Sequence, residues 1–131
     1  MAVPNHFGLP ERFKENLEFL GFKVFLLKND EHVSIPLKDK IIHAYNKWVH
    51  KDKSYKRLLK NKMSKEKQLA LLSTFDKADY ALFIRPDLFD YDVVNATKEK
   101  VDKIVAYQWD GIKRYPLVKN YIALFDKFYA F

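Results

Sequence analysis

The regular alternation of short apolar runs with helix-length amphipathic segments constrains this chain most, and the carboxyl-terminal third shows it most plainly. From Lys103 to Gln108, Ile104, Val105, Ala106 and Tyr107 follow one another in a nearly unbroken apolar run, the pattern of a strand covered on both faces by helices. Asp110-Gly111 then breaks it. Pro116 opens a helix through Phe125, since proline in the first helical turn gives up no donor that the helix needs, and Lys127 to Phe131 reads as another buried strand. This is a β-loop-α-β unit. In open parallel sheets, ligands sit outside the carboxyl ends of the strands, which is where Trp109, Asp110, Lys113 and Arg114 fall.

The same alternation runs through the rest of the chain. Pro10 to Leu20 places Phe13, Leu17 and Leu20 on one helical face, with Glu11 in the first turn and Gly21 as the stop, and Phe22 to Leu27 follows as a strand. Pro36 opens a second helix in which Leu37, Ile41, Tyr45, Trp48 and Val49 recur at three- and four-residue spacing, a stripe expected to face the core. Tyr55 to Met63 and Ser64 to Phe75 read as two further helices, the second with Ser64 as N-cap and Glu66 in its first turn. Tyr80 to Ile84 is a strand and Asp92 to Lys100 a short helix. Four strands alternating with helices predict a parallel, doubly wound α/β sheet, that is, a Rossmann-like fold. Such a sheet normally begins with its central strand, whereas here a helix comes before the first clear strand. Met1 to Phe7 offers a stub at most, because Pro4 cannot donate to a ladder. The expected fold therefore lacks or shortens its first strand.

Length and composition narrow the class. A chain of 131 residues is about one domain. With 48% hydrophobic and 16% aromatic residues it is too apolar for disorder, and no apolar run reaches the ~18 residues that span a bilayer. The amino terminus has no basic leader followed by an apolar stretch, and the chain has no cysteine, so a soluble protein of a reducing cytoplasm is expected.

The run from Tyr107 to Pro116, YQWDGIKRYP, with Phe125-Asp126-Lys127 behind it, resembles the amino-terminal half of Bacteroidetes-type glycosyltransferases of lipopolysaccharide and surface-polysaccharide biosynthesis, grouped with CgeB-like proteins. That family carries a Y-x-W-D-S-I-x-R-x-P pattern before an F-D-K strand. Tyr107, Trp109, Asp110, Ile112, Arg114 and Pro116 match it, while Gly111 stands where the family has serine, so a contact made by that hydroxyl is absent. Upstream, Ala78 to Leu88 is similar to a family strand and loop in which Arg or Lys is followed two residues on by an acid, as Arg85 and Asp87 are here. The resemblance implies a single domain over residues 1–131 that is part of the amino-terminal half of a two-domain GT-B enzyme. It further implies that this half shapes the acceptor side, for a saccharide or lipid-linked acceptor. The carboxyl-terminal domain would hold most of the nucleotide-sugar donor site, leaving this part without a cofactor and inert alone.

Among individual residues, Asp110 is the sharpest candidate. A carboxylate at a strand's carboxyl end can accept a sugar hydroxyl or act as a base, and Asp-Gly also makes a structural turn. Trp109 suits stacking on a sugar ring or core packing. Arg85 and Arg114 suit phosphate or carboxylate recognition, or an internal pair with Asp87, Asp90 or Asp110. Glycines at 8, 21 and 111 make no phosphate-binding loop, no G-x-S-x-G elbow occurs, and His6, His32, His43 and His50 lack the spacing of a zinc site.

Charge is concentrated in one segment. Lys51, Lys53, Lys56, Arg57, Lys60, Lys62, Lys65 and Lys67 stand against only Asp52 and Glu66, so most of the formal net charge of +7 lies there. Such a segment is a solvated helical face, or a basic surface that docks on an anionic membrane or partner; as a non-enzymatic binding module, the chain would use it that way. Nucleic acid fits less well, since no strand-borne stacking aromatics flanked by glycine accompany it. A receiver-type signalling domain would need an acidic cluster after its first strand, the strand that is not evident.

Overall fold

The computed structural model describes residues 1–29, 34–49, 51 and 55–130. Strand Ala2–Pro4 (β1) leads through helix Leu9–Phe19 (α1) to strand Leu27–Asn29 (β2). Helices Leu37–Val49 (α2) and Tyr55–Leu72 (α3) lead to strand Ala78–Ile84 (β3), and helix Tyr91–Lys98 (α4) to strand Val101–Gln108 (β4). A 3₁₀ segment, Pro116–Leu124, leads to strand Lys127–Ala130 (β5). All five strands are parallel in the order β2-β1-β3-β4-β5, one of the two common doubly wound arrangements. The α/β Rossmann-like expectation holds.

The first strand is shortened rather than lost. Ala2, Val3 and Pro4 are all buried between β2 and β3, so three residues suffice to fill an interior place in the sheet. Their brevity explains a correction at β2. Its register, Ala2 with Leu27 through Pro4 with Asn29, uses the whole of β1, so pairing starts only at Leu27. The apolar run Phe22 to Leu26 expected as strand is irregular, with Phe22 and Phe25 exposed.

Side chains alternate along β3 and β4, so Ala81, Phe83, Ile104 and Ala106 share one face and are buried there. Leu72 of α3, Val93 and Val94 of α4, and Tyr121, Leu124 and Phe125 close over them. Phe83 meets Phe89 edge-on at 5.3 Å and Phe125 at 5.7 Å. Crossovers between parallel strands are right-handed, so α1, which runs to β2 on one side, falls on the opposite face from helices that run the other way. A groove of about 540 Å³ runs past the segment before β2, lined by Phe22 and Phe25, by Leu82 and Val105, and by Leu72 and Phe83 of the core side.

Two helices differ from expectation. Tyr55–Leu72 is one helix, and Ser64 lies buried inside it, its hydroxyl donating to the Asn61 carbonyl at 3.1 Å instead of capping a new start. Leu58 and Met63 of this helix are exposed. In α2, no residue is buried, and the stripe Leu37, Ile41, Tyr45, Trp48 and Val49 faces outward. The half-buried residues of α2 are Asp39, His43 and Asn46, and the Tyr55 hydroxyl donates to Asp39 at 3.0 Å. This helix rests on α3 by its polar edge.

Candidate functional site

Strand β3 ends at a residue in an uncommon conformation. Arg85 has φ 58° and ψ 66°, a left-handed geometry that costs a non-glycine residue about 1 to 3 kcal/mol and clusters at functional sites. Its amide donates to the Tyr107 carbonyl of β4 at 3.0 Å, and Pro86 starts a 3₁₀ turn, Pro86–Leu88, behind it. The turn folds Asp87 back onto the arginine. Arg85 Nε donates to Asp87 Oδ1 at 2.8 Å and Nη2 to Oδ2 at 2.9 Å, a two-pronged pair that is almost wholly buried.

A second strand end supplies the other half. After β4, the turn closed by Arg114 N on the Gly111 carbonyl at 2.9 Å carries Asp110 toward the first pair. Arg85 Nη1 donates to Asp110 Oδ2, and Arg114 Nη1 donates to Asp110 Oδ1 at 3.4 Å. From α3, Arg57 Nη1 reaches Asp87 Oδ2 at 2.6 Å. The result is a chain of alternating charge, Arg57, Asp87, Arg85, Asp110, Arg114. Tyr115 lies among the cations, with the guanidinium carbons of Arg57 and Arg85 each 4.2 Å from its ring centre and that of Arg114 at 5.4 Å. Three cations stand against two carboxylates, which leaves the cluster net positive.

Buried amides brace the loop from behind. Asn61 Nδ2 donates to the carbonyls of Asp87 at 3.1 Å and Phe89 at 3.0 Å, and the Tyr121 hydroxyl donates to Phe89 at 2.9 Å. Asn29, at the end of β2, donates to the Leu88 carbonyl at 2.7 Å. Burial lowers the Arg85 pKa, but the bonds to Asp87 and the nearby Asp110 outweigh it, and the net shift is upward. Burial, aided by Asp90 and Asp87, pushes the Tyr121 hydroxyl up to about 12. Gln108, the last residue of β4, is fully buried with neither amide atom hydrogen-bonded.

Of the residues named from sequence, Arg85, Asp87, Asp110 and Arg114 therefore meet. The internal pairing expected as the alternative for Arg85 is what the geometry holds, with Asp87 and Asp110 as partners. Asp110 has each carboxylate oxygen facing an arginine, which suits it to orienting cations. Trp109, half-buried, and Lys113, exposed, flank the turn. Of the basic segment, Arg57 belongs to the cluster, Lys65 pairs with Asp90 and Asp92 of the α4 start, Lys51, Lys56, Lys62 and Lys67 are exposed and Lys60 half-buried, and Lys53 lies outside the described residues. Sequence reasoning gave Arg57 only as surface charge and passed over Tyr115 and Gln108. The motif position of Tyr115, between Arg114 and Pro116, was the available signal. Among the described residues, no group of three or more His, Asp or Glu converges as a metal site would.

The chain is thus a doubly wound α/β domain with an arginine-rich, partly buried cluster beyond the carboxyl ends of two parallel strands. Comparisons with protein-family models, with curated proteins and with solved structures find no match.

Proposed function

We propose that this chain forms the acceptor-side, Rossmann-like part of a glycosyltransferase of lipopolysaccharide or capsular-polysaccharide assembly, inert without a second domain that binds the nucleotide-sugar donor. One observation carries the reading. The two segments that resemble the family, around Arg85-Asp87 and around Asp110-Arg114, lie 25 residues apart between Arg85 and Asp110, yet their charged residues form one cluster at the ligand-binding edge of the sheet. In this reading Arg114, the most exposed arginine of the chain of pairs, contacts an anionic group of the acceptor, Trp109 and Lys113 line its approach, and Arg85 and Asp110 hold the arginines in place.

Deleting the gene in its own organism, and restoring it as wild type or as Arg114→Ala, tests this. Loss or shortening of the lipopolysaccharide or capsule ladder on a gel, restored by wild type and not by the variant, is the expected result. An unchanged ladder in the deletion strain overturns the reading.

A further inference from the structure

We infer that the outward face of α2, with the lysines around it, is a docking surface for an anionic lipid bilayer, the helix lying in the plane of the interface. The inference goes beyond sugar transfer and stands without it. An amphipathic helix of a globular domain turns its apolar stripe to the core. Here the orientation is reversed. Asp39, His43 and Asn46 face α3, while Ile41 is 64% and Trp48 84% exposed, with Leu37 and Val49 beside them.

The charges around the stripe select the occupant. Lys38 and Lys47 on α2, Lys51 beyond its end and Lys56 on α3 are all exposed. Among the described residues of α2, the one acid is Asp39, which is taken by Tyr55. An apolar stripe bearing a tryptophan and bordered by lysines is the composition of helices that lie in a membrane interface, where the ring sits at headgroup level and lysine stems snorkel to anionic headgroups. A second copy of this chain is the poorer occupant, since it would bring the same lysines face to face. The start of α3 also links this surface to the arginine cluster. Tyr55 holds α2 by its polar edge and, two residues on, Arg57 holds Asp87, so α3 joins the helix to that cluster.

The test uses the intact chain and vesicles of phosphatidylcholine with or without phosphatidylglycerol. Co-sedimentation with the anionic vesicles is expected, weaker without phosphatidylglycerol and weaker at raised salt. Ile41→Asp should reduce partitioning by about tenfold or more with the far-ultraviolet circular dichroism unchanged, because the residue supports no internal packing. Tryptophan emission should shift to the blue on binding, and Trp48→Phe should remove that shift while retaining binding. Absence of binding, equal binding to both vesicles, or undiminished binding by Ile41→Asp overturns the proposal. So does a dimer that Ile41→Asp dissociates in a chain that ignores vesicles.

Discussion

Asp87 is the residue on which the cluster turns. Its side chain has no solvent exposure, and both of its oxygens take guanidinium donors, from Arg85 and from Arg57. Removing one partner of a buried pair leaves the other charge uncompensated, which costs about 3 to 5 kcal/mol. Asp87→Asn should therefore lower the unfolding free energy, measured by urea denaturation, by that amount in a folded chain, whereas Arg114→Ala, at an exposed pair, should change stability by less than about 1 kcal/mol. Tyr121 offers a check on the same loop by pH. Its hydroxyl titrates at about 12 in the folded chain against an ordinary 10.0, so folding favours the protonated form. The stabilisation is complete below the ordinary value and is lost as pH rises from there through about 12. Tyr121→Phe should cost about 1 kcal/mol at neutral pH through the lost bond to Phe89. Denaturation across the alkaline range should show wild type losing that advantage. At this scale the sequence exposed Arg85, Asp87, Asp110 and Arg114 through local pattern. Arg57 and Tyr115 were hidden because their meeting depends on how α3 and the turn after β4 approach each other.

The cap and the ion pairs at the start of α4 fix how that helix meets α3. The Asp90 side chain accepts from the Asp92 amide at 3.1 Å, and Lys65 of α3 pairs with both acids. Losing such a cap costs about 1 kcal/mol, so Asp90→Ala should lower thermal stability by a few degrees, read by calorimetry. Amide exchange should rise first in Val93 and Val94, which that turn holds. Elements whose neighbours lie close in sequence were legible, as β3, β4 and β5 show, each set off by its own turn signal, although β5, expected to be buried, is an edge strand in which only Phe128 is half-buried. Those that depend on distant partners were not. The extent of β2 is set by the three residues of β1, and the orientation of α2 by a polar contact with α3, so apolar spacing alone placed the first too early and the second inside out.

At the scale of the molecule, the sheet is asymmetric. On one face, Phe83 is fully buried under α3, α4 and the segment before β5; on the other, Tyr80 is 64% and Tyr129 52% exposed, although both belong to strands of the same parallel sheet. Parallel sheets are normally covered on both faces, which is why their strands read as unbroken apolar runs. Here α1 covers only part of that face, where Val3 is buried, and the aromatic residues Tyr80 and Tyr129 lie beyond its cover. The two faces should therefore respond differently to equivalent truncations. Phe83→Ala removes a ring that touches two other aromatic rings and should cost about 3 to 5 kcal/mol. Tyr80→Ser, one turn of the pleat away from Ala81 and on the other face, should cost within about 0.5 kcal/mol, the range of surface positions. Urea denaturation of both variants beside wild type measures the contrast. Equal losses would mean that the face carrying Tyr80 is packed as firmly as the core, and the asymmetry would have to be abandoned.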